Sequence, residues 1–136
     1  MTPEVALQTA VRARLIATPG VIALVPSANI LDRNERPNPR PSIIIGEGQA
    51  VDEGDTIART RVRVYMDLHI WIEEPSTAGS KALAGAIRTA LRARLVPGYA
   101  GIHIPDCRVA SARFLRDPDG KTSHGVVTVN AVVEEA

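Results

Sequence analysis

From Arg61 to Glu73 every second residue is apolar: Val62, Val64, Met66, Leu68, Ile70 and Ile72 alternate with Arg61, Arg63, Tyr65, Asp67, His69, Trp71 and Glu73. A period of two sends successive side chains to opposite faces of an extended chain. The stretch therefore predicts one long strand with a single buried face. Its other face is charged and aromatic, which suits either solvent or an interface. A strand with one apolar face needs a second layer over that face, so the rest of the chain must supply it.

The flanking segments supply both layers. Thr2-Pro3 is a helix start, a hydroxyl cap followed by a proline whose fixed φ suits the first turn. Leu7, Val11 and Leu15, with Ala10 beside them, give that helix one apolar face, and Thr18-Pro19-Gly20 stops it. Residues 21–25 suit either one more helical turn or a strand, with the turn favoured, and 29–31 read as a short strand. Residues 32–41 hold three prolines and five charges, which predicts an exposed arm rather than a regular element. Residues 42–45 read as a strand, and the polar, glycine-rich 46–55 as a mobile hairpin connection.

Glu74-Pro75-Ser76-Thr77 breaks the long strand and supplies helix caps. Leu83, Ala86, Ile87, Ala90, Leu91 and Leu95 then mark an amphipathic helix of about five turns, with Lys81, Arg88 and Arg92 outward. Val96-Pro97-Gly98 ends it, and residues 99–105 read as a loop. A hairpin closes the chain: a strand over 108–116, the turn Asp117-Pro118-Asp119-Gly120, and a strand over 123–133. The order α, β, β, β, α, β, β predicts an α+β fold, a mostly antiparallel sheet packed on two main helices.

A length of 136 residues suits one domain, 1–136, with a single core. Aromatic residues are only 3% of the chain, so that core must be built from Val, Ile, Leu and Ala. The net charge of +1 argues against a general nucleic-acid binder, which would carry a clear basic excess. Cys107 is the one cysteine, so no intramolecular disulfide can form. Residues 1–4 lack the pattern of a signal peptide, and no apolar run nears the roughly 20 residues that cross a bilayer. A soluble chain made in the cytoplasm, without membrane contact, is expected.

Few residues offer chemistry. His69 lies on the polar face of its strand beside Asp67 and Trp71, and His124 at the start of the last strand could meet it across the sheet. With Asp67 such a pair could do acid–base work or hold a metal, but ordinary polar-face hydrogen bonding is the expectation, because no further residue at ligand spacing supports a site. Pro105 prevents a helix that would align His103 with Cys107. Gly46-Glu47-Gly48 lacks the third glycine of a phosphate loop and carries a repelling acid. Asp117-x-Asp119-Gly120 has the start of a calcium loop, but Thr128 stands where its distal Glu would be. No catalytic residue, cofactor or metal is expected. Arg33, Arg36 and Arg40 carry no aromatic neighbours for base stacking. Their opposite charge to Glu47, Asp52, Glu53 and Asp55 instead suggests contacts between subunits.

The string Leu115-Arg116-Asp117-Pro118-Asp119-Gly120-Lys121-Thr122-Ser123-His124-Gly125-Val126-Val127 resembles the tail-completion (tail-terminator) proteins of long-tailed bacteriophages and gene transfer agents. The Thr2-Pro3-Glu4 helix start, the strand Leu68-His69-Ile70-Trp71 leading into a capped helix, and the Ala-rich 82–95 segment agree, in the same order. The resemblance implies a virion structural protein, not an enzyme, without cofactor. It implies a ring, usually of six subunits, at the head–tail junction of the particle. Such a ring caps the tail tube protein, stops its polymerisation and meets the head-side connector or stopper protein, while DNA passes through without sequence-specific binding. A ring subunit needs two complementary lateral surfaces, and near-neutral charge suits a channel through which DNA slides. Two other functions compete: another head–tail connector ring (a stopper or adaptor), or a small metal-dependent nuclease or hydrolase using Asp67, His69 and His124.

Overall fold

A computed structural model describes residues 1–32 and 40–135. Arg33 and Arg36 of the arm lie outside the described residues. The described elements are helix α1 (Pro3–Ile16), the short helix α2 (Pro19–Ile22), a 3₁₀ turn (Ser27–Asn29), strands β1 (Ile30–Leu31), β2 (Ser42–Asp52) and β3 (Arg61–Glu73), helix α3 (Ala78–Ala90), and strands β4 (Ile102–Arg116) and β5 (Thr122–Glu135). They form the expected α+β arrangement, one five-stranded sheet in the order β1-β2-β3-β5-β4 with β3 at its centre. The β1–β2 pair is parallel and the other three are antiparallel.

The alternation in β3 does what period two requires. Val64, Met66, Leu68 and Ile70 are buried, with Val62 and Ile72 partly buried at the two ends. Val127, Val129, Ala131 and Val133 of β5 extend the same inner face, and Leu7, Val11 and Leu15 of α1 and Leu83, Ala84 and Ile87 of α3 complete one cluster with it. Val21, beside α1 in the short α2, joins that cluster too, so all three helices lie on one side of the sheet. The helix starts are chemically specified. Thr2 Oγ1 accepts from the Val5 amide at 3.3 Å, and Pro3 occupies the first turn. At α3 the cap is Glu74, whose carboxylate accepts from the amides of Gly79 (2.8 Å) and Ser80 (3.1 Å). Those are orphan donors at the positive end of the helix dipole, where an acid is favoured.

Three boundaries differ from expectation. Gly46 to Asp52 is not a loose connection: β2 runs on through it, and Gly48 to Asp52 pair with Met66 to Val62 after a register shift beyond Ile45. The length of β3 imposes this pairing on a glycine-rich, acidic sequence, because a strand partner satisfies the backbone better than local composition predicts. Helix α3 ends at Ala90, not Leu95, although Leu91 and Leu95 are still buried. The apolar spacing outlasts the helix because the segment after it stays against the core. The strand predicted from 108 begins at Ile102, with Pro105 falling where the register shifts between His103 and Asp106. Proline is tolerated there because an irregularity needs no ladder donor.

Candidate functional site

With every described helix on one side, the opposite face of the sheet carries the polar groups. On β5 that face presents His124, Val126, Thr128, Asn130, Val132 and Glu134, flanked by Trp71, His69, Asp67, Tyr65, Arg63 and Arg61 of β3. Val126 and Val132 are nonetheless only 4% and 3% exposed. Each has an arginine directly across the strands, Arg113 beside Val126 and Arg63 beside Val132, whose apolar stem is long enough to shade it. Arg63 spans this surface, donating to Asn130 Oδ1 at 2.8 Å and to Glu53 Oε1 at 2.7 Å. Thr128 Oγ1 donates to Asp67 Oδ1 at 2.7 Å.

The two histidines meet. His69 Nδ1 lies 2.9 Å from His124 Nε2, and His69 Nε2 lies 2.9 Å from Glu47 Oε2. With Glu47 ionised, His69 Nε2–H donates to it, and His69 Nδ1 accepts from His124 Nε2–H. The His124 ring stacks on Trp71 with centroids 3.9 Å apart and planes 8° from parallel. Glu47 reaches this row because Gly46 and Glu47 fall in the irregularity of β2, and a bulge re-aims a side chain. Gly46 is required by the His69 ring itself, since a Cβ there would lie 2.5 Å from His69 Cδ2 and 2.7 Å from Nε2. The hydrogen bond from His69 lowers the Glu47 carboxyl below its ordinary value, and burial, with His69 alongside, lowers His124. Glu47, Asp67 and His69 each offer a donor atom within 4.8 Å of the others and could hold a metal ion. Pairing of Asp67, His69 and His124 follows from the strand period. Glu47, Gly46 and the Trp71 stack do not, and a glycine preceding an acid beside a strand was their one sequence signal.

Cys107 lies half-buried on β4, and burial pushes its thiol up to about 12, so it is not an available thiolate. His103 is exposed on the same strand, and the two form no cluster.

The acidic group sits at one end of the sheet. Glu53 pairs with Arg63 at 2.7 Å, Asp52 with Arg59 at 3.7 Å, and Asp55 with Arg61 at 3.7 Å. Arg40 precedes the other end of β2, where Ser42 pairs with Trp71; in the nearby Asp117–Gly120 turn, hydrogen bonds from Lys121 and Thr122 lower the Asp119 carboxyl and the Arg40 charge adds least. At about 3.3 Å per residue, the ten steps from Ser42 to Asp52 separate these ends by about 33 Å. Within one subunit Arg40 and the Asp52–Asp55 acids do not meet.

The fold and this surface define a small α+β domain with one sheet face closed by helices and the other bearing its ionisable groups. The family model for tail completion protein gp17 matches residues 9–134, and the chain belongs to that family. No curated protein sequence matches it. Among solved structures it is similar to a chain of the virion of a native gene transfer agent particle, with 23% identity, a TM-score of 0.83 and 98% of both chains covered. It is also similar to the gp17 protein of bacteriophage SPP1, with 21% identity, a TM-score of 0.59, and 93% of this chain and 87% of that one covered.

Proposed function

We propose that the protein is a tail terminator subunit: six copies close into a ring on the end of the tail tube, stop its polymerisation and join the tail to the head-side connector. The observation that carries this reading is the family match across residues 9–134. The difference between the two ends of β2 supports it. A closed ring made by head-to-tail contacts needs two different, complementary surfaces on each subunit. Two differently composed ends about 33 Å apart, Arg40 at one and Asp52, Glu53 and Asp55 with their Arg59, Arg63 and Arg61 partners at the other, meet that requirement in a way that one self-complementary patch would not. On this reading Arg33, Arg36 and Arg40 of one copy face Glu47, Asp52, Glu53 and Asp55 of the next. Exposed ion pairs are individually weak, so closure draws on the group and weakens as salt rises. The subunit is made in the bacterial cytoplasm and resides at the head–tail junction of the particle. It has no catalytic role, and DNA crosses the ring without being read.

Native mass spectrometry with negative-stain microscopy of the purified chain tests this: a closed ring of six is expected, and a strict monomer with metal-dependent hydrolytic activity would overturn it. Particles lacking the subunit separate a terminator from a stopper or adaptor. Loss of a terminator leaves overlong tubes, whereas loss of a connector ring leaves tubes of normal length that fail to join heads.

A further inference from the structure

We infer that Glu47, Asp67 and His69 form a binding site for one divalent metal ion of the zinc class, on the open face of the sheet. The inference does not rest on the ring, although Glu47 is also among the acids assigned above to contacts between subunits. Their donor atoms lie within 4.8 Å of one another, and such an ion holds nitrogen and oxygen donors at about 2.0–2.2 Å. Glu47, whose side chain is 78% exposed, has room to swing toward the other two donors. Asp67 and His69 are two residues apart on one strand, so they share a face, and the β2 irregularity brings Glu47 over them. A bulge interrupts a backbone ladder, and Gly46 leaves the exact space the imidazole fills. Both features aim one carboxylate at one ring nitrogen.

The groups behind the donors are arranged as a metal site needs. Asp67 Oδ1 is engaged by Thr128 Oγ1, which orients the carboxylate and leaves Oδ2 for the ion. His69 Nδ1 meets His124 Nε2, and Trp71 fixes the His124 ring by stacking. Metal-ligating histidines characteristically have their second nitrogen held in this way. On binding, both rings exchange tautomer. His69 Nε2 gives its lone pair to the ion, His69 Nδ1–H donates to His124 Nε2, and the His124 proton moves to its own Nδ1, so neither ring gains or loses a proton overall. One imidazole with two carboxylates favours Zn²⁺, Co²⁺ or Mn²⁺ over Ca²⁺, which takes oxygen alone, and over Cu⁺, which takes sulfur. The exposed Glu47 side admits water to complete the coordination.

Trp71 is the only tryptophan and reports on the site directly. Titrating the full chain with Co²⁺ should quench its emission saturably at one ion per chain in the micromolar range, and Zn²⁺ should displace the Co²⁺ and restore it. His69→Gln and Glu47→Gln should each weaken binding by about tenfold or more, while His103→Gln leaves it unchanged. Melting curves show whether each variant is folded, and exposed Glu47 can be changed without touching the core. Absence of saturation below millimolar Co²⁺ overturns the site. So does undiminished binding by folded Glu47→Gln protein, or loss of binding in His103→Gln.

Discussion

The hydroxyl of Ser123 donates a hydrogen bond to the carboxylate of Glu74, 49 residues earlier in the chain. The same carboxylate caps the first turn of α3 through Gly79 and Ser80, so a single side chain ties the end of β3, the start of β5 and the helix that covers them. Burial alone would raise the Glu74 carboxyl, but the hydrogen bonds from Ser123, Gly79 and Ser80 outweigh it and hold it below its ordinary value.

Replacing Glu74 with Ala should cost about 1–2 kcal/mol, the range of a lost helix cap, read as a shift in the urea midpoint with unchanged slope. The pH dependence has a definite sign. A carboxyl lowered by folding contributes stability that is complete above its ordinary value of 4.5 and is lost as pH falls through the lower, folded value. Glu74→Gln should flatten that acid limb, and an unaltered acid limb would mean the carboxylate is not engaged in solution.

Ile87 is fully buried in the cluster beneath β3, so Ile87→Ala should cost about 2–5 kcal/mol by equilibrium unfolding. A loss under about 0.5 kcal/mol is typical of surface positions and would place this helix face outside the core.

Gly46→Ala should destabilise by about 1–3 kcal/mol, because its methyl would overlap the His69 ring. The conflict belongs to that pair, so most of the loss should vanish in a His69→Ala background, a coupling that a double-mutant cycle reads directly.

His124→Gln should leave rings and particles intact, apart from any packing loss. A variant with normal rings that has lost a measurable hydrolytic activity would count against a purely structural role.

Deleting residues 34–40 should leave a folded subunit that fails to close a ring or join a tail, with the wild-type ring itself loosening as salt rises. Normal assembly of the deletion variant at low and high salt would show that the arm takes no part in closure.

The elements that could be read from the sequence are those whose pattern and environment agree. β3 is half-buried along its whole length, so its period of two is unbroken, and Asp117-Pro118-Asp119-Gly120 carries its own turn, with Gly120 at φ +72° and Asp119 accepting from Lys121 and Thr122. The far half of β2 was illegible because both of its faces are exposed, which removes any period. At the histidine row the contributions of β3 and β5 follow from alternation. Glu47 does not, because a bulge is a mismatch between two strands and neither strand's residues record it alone.

The order of the sheet has a consequence in time. β3 pairs with β5 along its full length, and Glu73 must wait for Thr122, made 49 residues later. At about 5–20 residues per second of synthesis, the apolar row from Val62 to Ile72 stands without that neighbour for on the order of several seconds. Only the β2 side is available to it in that interval. The unpaired edge of β3, rather than its apolar face, which α1 and α3 are already there to cover, is then the place where one nascent chain can capture another.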